Sequence, residues 1–472
     1  MDTPFCSIST MRKRLFGTDG IRGTANIEPI TAETALRLGR ATACVFGAGG
    51  NGNPNPPREK RTIVLGRDTR LSGYMLESAI TAGITSLGVD VFLVGLLPAP
   101  GIAYITRSLH ADAGMILSAS HNSYEDNGIK FFRYDGYKLP NSVEASIEKL
   151  VFLETSSFIP PPAAKIGRVV HIDDALTSYV KYAKRSFPRG YSLRGLRIAL
   201  DCANGAAYKS SPNILRELGA DLHVLHDSPN GVNINEGSGS TFPQAIQKFA
   251  LKTGAHVGIT HDGDADRVLF CDEKGDLLDG DEIMAIVAID SLRNHLLAKN
   301  TLAATVMSNA GLDEAITQCG GHVIRTDVGD RHLIEEMLRN GLNIGGEQSG
   351  HLIFRDYTTT GDGIISALQV LRVMIESGKP LSELKSCLVK YPQVQRNLAV
   401  RKKPPISSLS NVQSLMEHAR NVLKDRGRVL LRYSGTESKI RLLIEGQDEH
   451  QITKMAERII DAILTDIGAE DG

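Results

Sequence analysis

The sequence predicts an α/β fold of three similar α/β domains in tandem plus a smaller C-terminal α+β domain, in a chain long enough to hold a central cleft between domains. Three observations support this. A chain of 472 residues exceeds what one hydrophobic core usually organises. One pattern occurs three times: a short β-branched strand, a polar or glycine-containing loop, an amphipathic helix, a glycine and a second strand, the signature of a βαβ unit. Near Tyr391 the pattern stops.

The first copy runs through Thr62–Gly66, a helix from about Gly73 to Leu87, Gly88 and Val89–Val94. The second comprises Leu196–Asp201, a helix from about Ala206 to Leu218, Gly219 and Ala220–Leu225. Gly219 suits the left-handed conformation that ends a helix. The third comprises Ala303–Ser308, a helix to Cys319, Gly320 and His322–Thr326. Breakers mark the boundaries: Ile159–Pro162 is proline-rich, and Gly275–Asp281 interrupts the pattern again. The predicted domains are 1–165, 166–275, 276–390 and 391–472. In the last, two short strands flank Ser434-Gly435-Thr436, and a closing helix from about His450 to Leu464 is apolar at Ile452, Met455, Ile459, Ile460 and Ile463. Gly47–Lys60, rich in Gly, Asn and Pro, reads as a mobile surface loop. Met11 directly precedes the first well-patterned segment, which leaves residues 1–10 to be read as a dispensable extension or an over-long start.

With 42% hydrophobic and 23% charged residues, the composition is that of a soluble α/β enzyme rather than a disordered, fibrous or membrane chain. The formal charge of −1 comes from dispersed Lys and Arg, so there is no footprint for nucleic acid. The most apolar stretch, Val89–Thr106, is broken by Asp90, Pro98 and Pro100 and is too short to span a membrane. Residues 1–10 lack the basic start and apolar run of a signal peptide, which predicts a cytoplasmic chain. The cysteines (Cys6, Cys44, Cys202, Cys271, Cys319, Cys387) are far apart and form no CxxC pair, so neither a disulfide nor a zinc site is expected. The sequence leaves a homodimer open.

Asp262, Asp264 and Asp266 alternate with Gly263 and Ala265. In an extended segment that spacing turns all three carboxylates to one side, where they repel one another unless a cation is present. An all-oxygen ligand set favours Mg²⁺ over zinc or copper. A calcium EF-hand would need glycine where Arg267 stands, and the flanks Val257–Ile259 and Val268–Cys271 read as strands. A solvated acidic turn without metal is the remaining alternative.

Leu117-Ser118-Ala119-Ser120-His121-Asn122-Ser123 follows the apolar run Ala113–Ile116 and leads to Asp126-Asn127-Gly128-Ile129-Lys130. Alone it reads as a structural turn. A serine hydrolase is disfavoured because GxSxG is absent and the adjacent side chains of Ser120 and His121 are expected to point apart. Beside the acidic triplet, however, a serine oxygen or its phosphate can complete a Mg²⁺ shell. Lys130 then becomes a candidate to hold or relay a proton.

Three further segments carry recognition chemistry. Arg432-Tyr433-Ser434-Gly435-Thr436-Glu437-Ser438-Lys439-Ile440-Arg441 combines two arginines with hydroxyls and a glycine at a turn between strands, which suits phosphate or an ordinary polar hairpin. Gly345-Gly346-Glu347-Gln348-Ser349-Gly350-His351 offers a carboxylate, an amide and a hydroxyl for sugar hydroxyls. Phe16-Gly17-Thr18-Asp19-Gly20-Ile21-Arg22-Gly23 is glycine-rich but fits neither the Walker nor the dinucleotide pattern.

Together these segments resemble the α-D-phosphohexomutase superfamily, and within it the phosphoglucosamine mutases, from about Arg14 to Gly446. The resemblance implies that Ser120 is a phosphoserine and that Asp262, Asp264 and Asp266 bind one Mg²⁺ with it. It implies that Arg22, His121 and Lys130 surround the reacting phosphate, with Arg267 beside the metal loop. Glu347 and Ser349, with Asp330 and Arg331 nearby, would hold the sugar. Arg432, Ser434, Gly435, Thr436 and Arg441 would clamp the non-reacting phosphate. The implied reaction interconverts glucosamine 6-phosphate and glucosamine 1-phosphate through a 1,6-bisphosphate that also serves as activator, and supplies UDP-N-acetylglucosamine synthesis.

Two departures from that pattern stand out. Ser123 replaces a proline in the serine loop, and Tyr433 and Ser438 replace two prolines in the phosphate loop. Looser loops and slower catalysis, not loss of activity, are the expected effects. A phosphoglucomutase or phosphomannomutase, a non-catalytic sugar-phosphate-binding protein and a metal-dependent phosphatase are the alternatives.

Overall fold

A computed structural model of the chain describes residues 15–17, 19–47, 60–153, 158–424, 427–433 and 438–467. The predicted surface loop and the predicted extension at residues 1–10 lie outside them, apart from Gly47 and Lys60. By its internal contacts the chain divides into two compact units, residues 1–185, 200–246 and 260–266 in one and residues 186–199, 247–259 and 267–472 in the other.

The first sheet is formed by β1 (Ile21–Thr24), β2 (Thr62–Arg67), β3 (Asp90–Leu96), β4 (Ala113–Leu117), β5 (Asp126–Arg133) and β6 (Val169–His171), with α1 (Ala32–Phe46), α2 (Ser72–Thr85), α3 (Ala99–Ser108) and α4 (Asn141–Val151). Its order is β1-β5-β4-β2-β3-β6. β2 is parallel to β3 and to β4, while β5 returns antiparallel beside β4. Ile63, Leu65, Met115, Ile129 and Phe131 alternate along their strands into one core with Leu38 of α1, Ile80 of α2 and Ile147 of α4. Val64 and Ile116, which alternate with them, are equally buried. Burial on both faces explains why these strands read as continuous apolar runs. α1 and α2 cross where Gly39 meets Gly83; a Cβ on Gly83 would lie 2.2 Å from the Leu36 carbonyl oxygen, so only glycine permits that approach.

Next come α5 (Ala175–Lys184), β7 (Arg197–Asp201), α6 (Ser210–Glu217), β8 (Asp221–Leu225), α7 (Gln244–Thr253), β9 (Val257–His261), β10 (Val268–Asp272) and β11 (Leu277–Leu278). The sheet order is β11-β10-β9-β7-β8. Gly219, with φ 94°, ends the turn after α6 as its position suggests.

The third segment has α8 (Gly280–Arg293), β12 (Thr301–Thr305), α9 (Gly311–Gln318), β13 (His322–Thr326), α10 (Asp330–Asn340), β14 (Ile344–Gly346), β15 (Leu352–Phe354), α11 (Gly363–Ser377) and α12 (Leu381–Leu384). Its sheet order is β13-β12-β14-β15. The internal repeat is thus larger than the predicted strand-helix-strand. β5-β4-β2-β3, β10-β9-β7-β8 and β15-β14-β12-β13 have the same order, with one crossover helix (α3, α7 or α10) leading to the third strand and a return strand directly beside it.

The last segment comprises β16 (Gln393–Ala399), α13 (Ser410–Leu423), β17 (Gly427–Tyr433), β18 (Lys439–Gly446) and α14 (Glu449–Ile467). The antiparallel order β16-β18-β17 includes a strand and a helix beyond the predicted two strands and closing helix. Val429, Ile440, Leu442 and Ile444 face α13 and α14, whose buried stripe is Ile452, Ala456, Ile459 and Ile463. Met455 and Ile460, also apolar positions of the predicted closing helix, flank that stripe and are only partly buried.

At the junction with the third segment, Asn309 Nδ2 donates to the Tyr391 carbonyl at 3.0 Å and Tyr391 N donates to Asn309 Oδ1 at 2.9 Å. Asp281 accepts Asn309 N at 2.8 Å. Burial, then the neighbouring Asp279, push the Asp281 carboxyl up to about 6, against the Asn309 N–H, the Ser308 hydroxyl and Lys390. An acid that holds its proton longer in the folded state than in the unfolded one loses stability as pH rises. The loss falls between about pH 4 and pH 6, totals about 3 kcal/mol, and is constant above that window. Asp281→Asn is therefore expected to flatten the decline and to raise the pH 7 urea midpoint above the parent's, with little difference at pH 4. Parallel slopes in both proteins would refute the assignment.

Among the described residues, no helix is long and apolar enough to cross a membrane.

Candidate active site

In open α/β sheets, ligands bind beyond the carboxyl ends of the strands. The first unit uses three such ends: Asp68-Thr69-Arg70 follows β2, Ser118-Ala119-Ser120 follows β4 and Asp262 follows β9. Ser120 is buried in a left-handed conformation with φ 54°. Its hydroxyl donates to Asp262 Oδ2 at 2.5 Å. His121 Nδ1 lies 3.4 Å from the same oxygen. The predicted divergence of these adjacent side chains is therefore corrected: the left-handed residue breaks the extended backbone that would have separated them.

Asp262, Asp264 and Asp266 are buried, each with a carboxylate oxygen within 4.8 Å of the others. Among the described residues they are the single group of this kind. The turn that gathers them is closed by Ala265 N donating to the Asp262 carbonyl, with Ala265 at φ 52°. Gly263 is tightly enclosed, since a Cβ there would meet the Ser120 carbonyl oxygen at 2.5 Å. Asp264 Oδ1 is buried without a hydrogen-bond partner, an arrangement normally too costly to retain. A hard cation answers that cost, and the all-oxygen set of three carboxylates with a serine oxygen fits Mg²⁺.

Lys130, 2% exposed, reaches the group from β5, with Nζ 2.7 Å from Asp264 Oδ2, 3.1 Å from Asp266 Oδ2 and 3.2 Å from Asp19 Oδ2. Burial would lower its pKa, yet Asp19, Asp264 and Asp266 hold it well above the usual lysine value. Its positive charge thus faces three carboxylates at once. Asp19 also binds Arg22 at 2.5 Å and Lys138. Burial pushes the Asp19 carboxyl up, but Lys130, Lys138 and Arg22 outweigh it and hold it well below the usual carboxylate range.

The second unit gathers the predicted sugar-loop residues. Glu347 follows β14; its Oε1 accepts Gly329 N at 3.0 Å and its Oε2 accepts the Ser349 hydroxyl at 3.3 Å. Glu347 is thereby held at the amino end of α10, which begins at Asp330, and a carboxylate is favoured there. Buried His351 bridges Arg267 through the backbone, and its Nε2 lies 3.6 Å from Asp330 Oδ2. Arg331 occupies the first turn of α10. Arg432 and Arg441 are paired across β17 and β18 on the face opposite the helices. There they line a cavity of about 70 Å³ with Met307, Gln395, Asn397 and Leu443. Burial, and then the charge of Arg441, lower the Arg432 pKa. Ser434, Gly435 and Thr436 lie outside the described residues. Tyr433, at one proline position, donates its hydroxyl to the Pro404 carbonyl at 2.8 Å.

Four domain models of the phosphoglucomutase/phosphomannomutase type match in order: alpha/beta/alpha domain I over residues 13–157, domain II over 177–275, domain III over 279–391 and the C-terminal domain over 394–462. The phosphoglucosamine mutase of Syntrophotalea carbinolica is 52% identical over 458 residues, covering 97% of this chain and 99% of that protein. That of Geobacter metallireducens is 53% identical, covering 97% and 100%. The chain belongs to the phosphoglucosamine mutase family. It is accordingly an enzyme, an isomerase of the intramolecular phosphotransferase class. The fold is shared by a phosphoglucomutase/phosphomannomutase family protein from Burkholderia thailandensis, with TM-score 0.79 and 21% identity over 97% of this chain and 98% of that one. It is shared also by an N-acetylphosphoglucosamine mutase from Aspergillus fumigatus, solved with GlcNAc-6P and magnesium, with TM-score 0.67, 18% identity and 96% coverage of both chains.

Several residues of this phosphoglucosamine mutase family member's site escaped the sequence reading: Asp19, Asp68, Arg70, Lys138, Asn235 and His351. Asp68 and Arg70 could have been found from their place directly after a central strand. Asn235 follows no strand, and no local pattern points to it.

Proposed function

We propose that this chain interconverts glucosamine 6-phosphate and glucosamine 1-phosphate, with Ser120 carrying the phosphoryl group between turnovers. The observation that carries the reading is the Ser120 hydroxyl at 2.5 Å from Asp262 in a buried group of three aspartates, in a chain about half identical to phosphoglucosamine mutases along nearly its whole length.

Ser120, Asp262, Asp264 and Asp266 are the residues that would hold Mg²⁺, which when bound neutralises charge on the phosphoryl oxygens. Phosphoserine 120 donates to the free hydroxyl of the sugar phosphate; the O–P bond to serine breaks as the O–P bond to the sugar forms. The resulting 1,6-bisphosphate reverses its orientation and returns its other phosphoryl group to Ser120, so no net phosphate is consumed. His121, with Nδ1 3.4 Å from Ser120 Oγ, is placed to take and return the proton of the oxygen that loses or gains the phosphoryl group. Lys130 and Arg22 supply fixed positive charge. Glu347 and Ser349 hold the sugar, with Asp330, Arg331 and Arg267 beside them. Arg432 and Arg441, with Ser434, Gly435 and Thr436, grip the phosphate that does not react.

The product would feed UDP-N-acetylglucosamine synthesis in the cytoplasm, and sugar 1,6-bisphosphate would act as activator. Besides Mg²⁺, the partner assigned is the small-molecule sugar phosphate.

The test combines peptide mass spectrometry of the segment containing Ser120 with an assay of glucosamine 1-phosphate formation in Mg²⁺ and a trace of 1,6-bisphosphate, beside glucose 6-phosphate and mannose 6-phosphate. Phosphate on Ser120 and preference for the amino sugar are expected. A preference for glucose or mannose phosphates would move the chain to a phosphoglucomutase or phosphomannomutase activity.

A further inference from the structure

The left-handed backbone of Ser120 is unfavourable for a residue with a Cβ and persists only where its surroundings impose it. Two side chains from distant parts of the first unit act on the same two carbonyls of that loop. Arg70, wholly buried, donates through Nη2 to the Ser120 and Asn122 carbonyls, each at 2.9 Å, and through Nη1 to the Ser123 carbonyl. Asn235 Nδ2 donates to the Ser120 carbonyl at 2.9 Å and to the Asn122 carbonyl at 2.8 Å.

Arg70 is itself fixed, because its Nε and its backbone N–H both donate to Asp68, each at 2.9 Å. Ser118, hydrogen-bonded to Asp68, accepts Ser120 N at 2.9 Å. Both ends of the Ser120 residue are therefore tied to one buried ion pair. The Ser123 carbonyl, which a proline at that position would also have presented, is part of the same grip.

We infer that Arg70 and Asn235 are positioning residues that clamp the Ser120–Ser123 backbone and so aim Ser120 Oγ at the phosphoryl acceptor. The inference rests on the reading of Ser120 as phosphoryl carrier. Neither side chain touches the reacting atom. Their effect is geometric: a misplacement of about 1 Å can cost about 10²-fold in rate. Lysine cannot replace Arg70, because one ammonium lacks the planar fork that serves three carbonyls and a carboxylate at once.

Arg70→Lys and Asn235→Ala are the variants, with Ser120→Ala alongside. Hydrogen exchange in the peptide spanning residues 117–124 is measured together with kcat and KM. The expected result is a kcat lower by about 10²-fold in Arg70→Lys and by about tenfold in Asn235→Ala. KM should stay within about threefold of the parent, and exchange in that peptide should be faster by at least about tenfold while the rest of the chain keeps its protection. Unchanged exchange, or an unchanged kcat in both folded variants, overturns the clamp. Should Arg70→Lys fail to fold, Asn235→Ala decides, being the lesser disturbance. Full activity in Ser120→Ala would sink the carrier reading; the exchange measurement needs no turnover and judges the clamp separately.

Discussion

Ser120→Ala is expected to lower kcat by at least about 10⁴-fold while leaving the fold intact. The side chain removed is a single hydroxyl whose bond to Asp262 is easily given up, because that carboxylate stands beside two others that a cation can hold. On the proposed mechanism the reaction, by contrast, loses its phosphoryl carrier, the oxygen that His121 Nδ1 approaches at 3.4 Å. Intact mass, thermal melting and turnover check the three parts of the statement. Ser120→Asp should be equally inactive for a different reason: a fourth carboxylate joins Asp262, Asp264 and Asp266. Its melting temperature should therefore depend on Mg²⁺ more steeply than the parent's.

How much of this was legible in the sequence depended on how local each signal was. Asp262, Asp264 and Asp266 announce themselves because their spacing is chemical: three like charges two residues apart are costly without a cation. Ser120 became a candidate only beside them, since a small polar loop has many uses. The three βαβ units showed through strand and helix periodicity, yet the return strand and crossover helix of each repeat did not register as parts of one unit. β16 was missed because it lies on an edge, with exposed Gln395, Arg396 and Asn397 breaking the apolar alternation. α13 was missed as well, its polar residues outnumbering its buried stripe of Val412, Met416, Ala419 and Leu423.

The clamp residues show the deeper limit. Arg70 sits in a strand-end loop that any α/β sheet would possess, and an arginine in a polar loop reads as solvated. Its full burial depends on Asp68 and on the three carbonyls of a loop some fifty residues later. Asn235 acts across 115 residues of sequence. Neither position carries a pattern that spacing could expose, because the partner is a backbone carbonyl and carbonyls are everywhere. Asp19 was read as part of a glycine-rich segment without nucleotide chemistry. The structure makes it the carboxylate to which Arg22, Lys130 and Lys138 all bind.

That network sets the second large effect, expected for Lys130→Met. Asp19, Asp262, Asp264 and Asp266 place four negative charges around three cations, Arg22, Lys130 and Lys138, and leave a net charge of minus one. Without Lys130 it becomes minus two in a region shielded from water. Removing one partner of a buried ion pair costs about 3–5 kcal/mol, because the remaining charges lose their compensation. Methionine fills most of the space, so the cost is electrostatic and not a cavity. A divalent cation among the same carboxylates should offset it, and chelation should therefore lower the melting temperature of Lys130→Met well beyond its effect on the parent. Equal sensitivity to chelator in the two proteins would show that the lysine and the aspartates are not electrostatically coupled. With Mg²⁺ present the variant should fold but turn over about 10²–10³-fold more slowly, as expected when a fixed charge is removed from the neighbourhood of a transferring phosphoryl group. The larger rescue of stability than of rate separates the two roles of Lys130: a cation can replace its charge in the folded ground state, but not its position against Asp264 and Asp266.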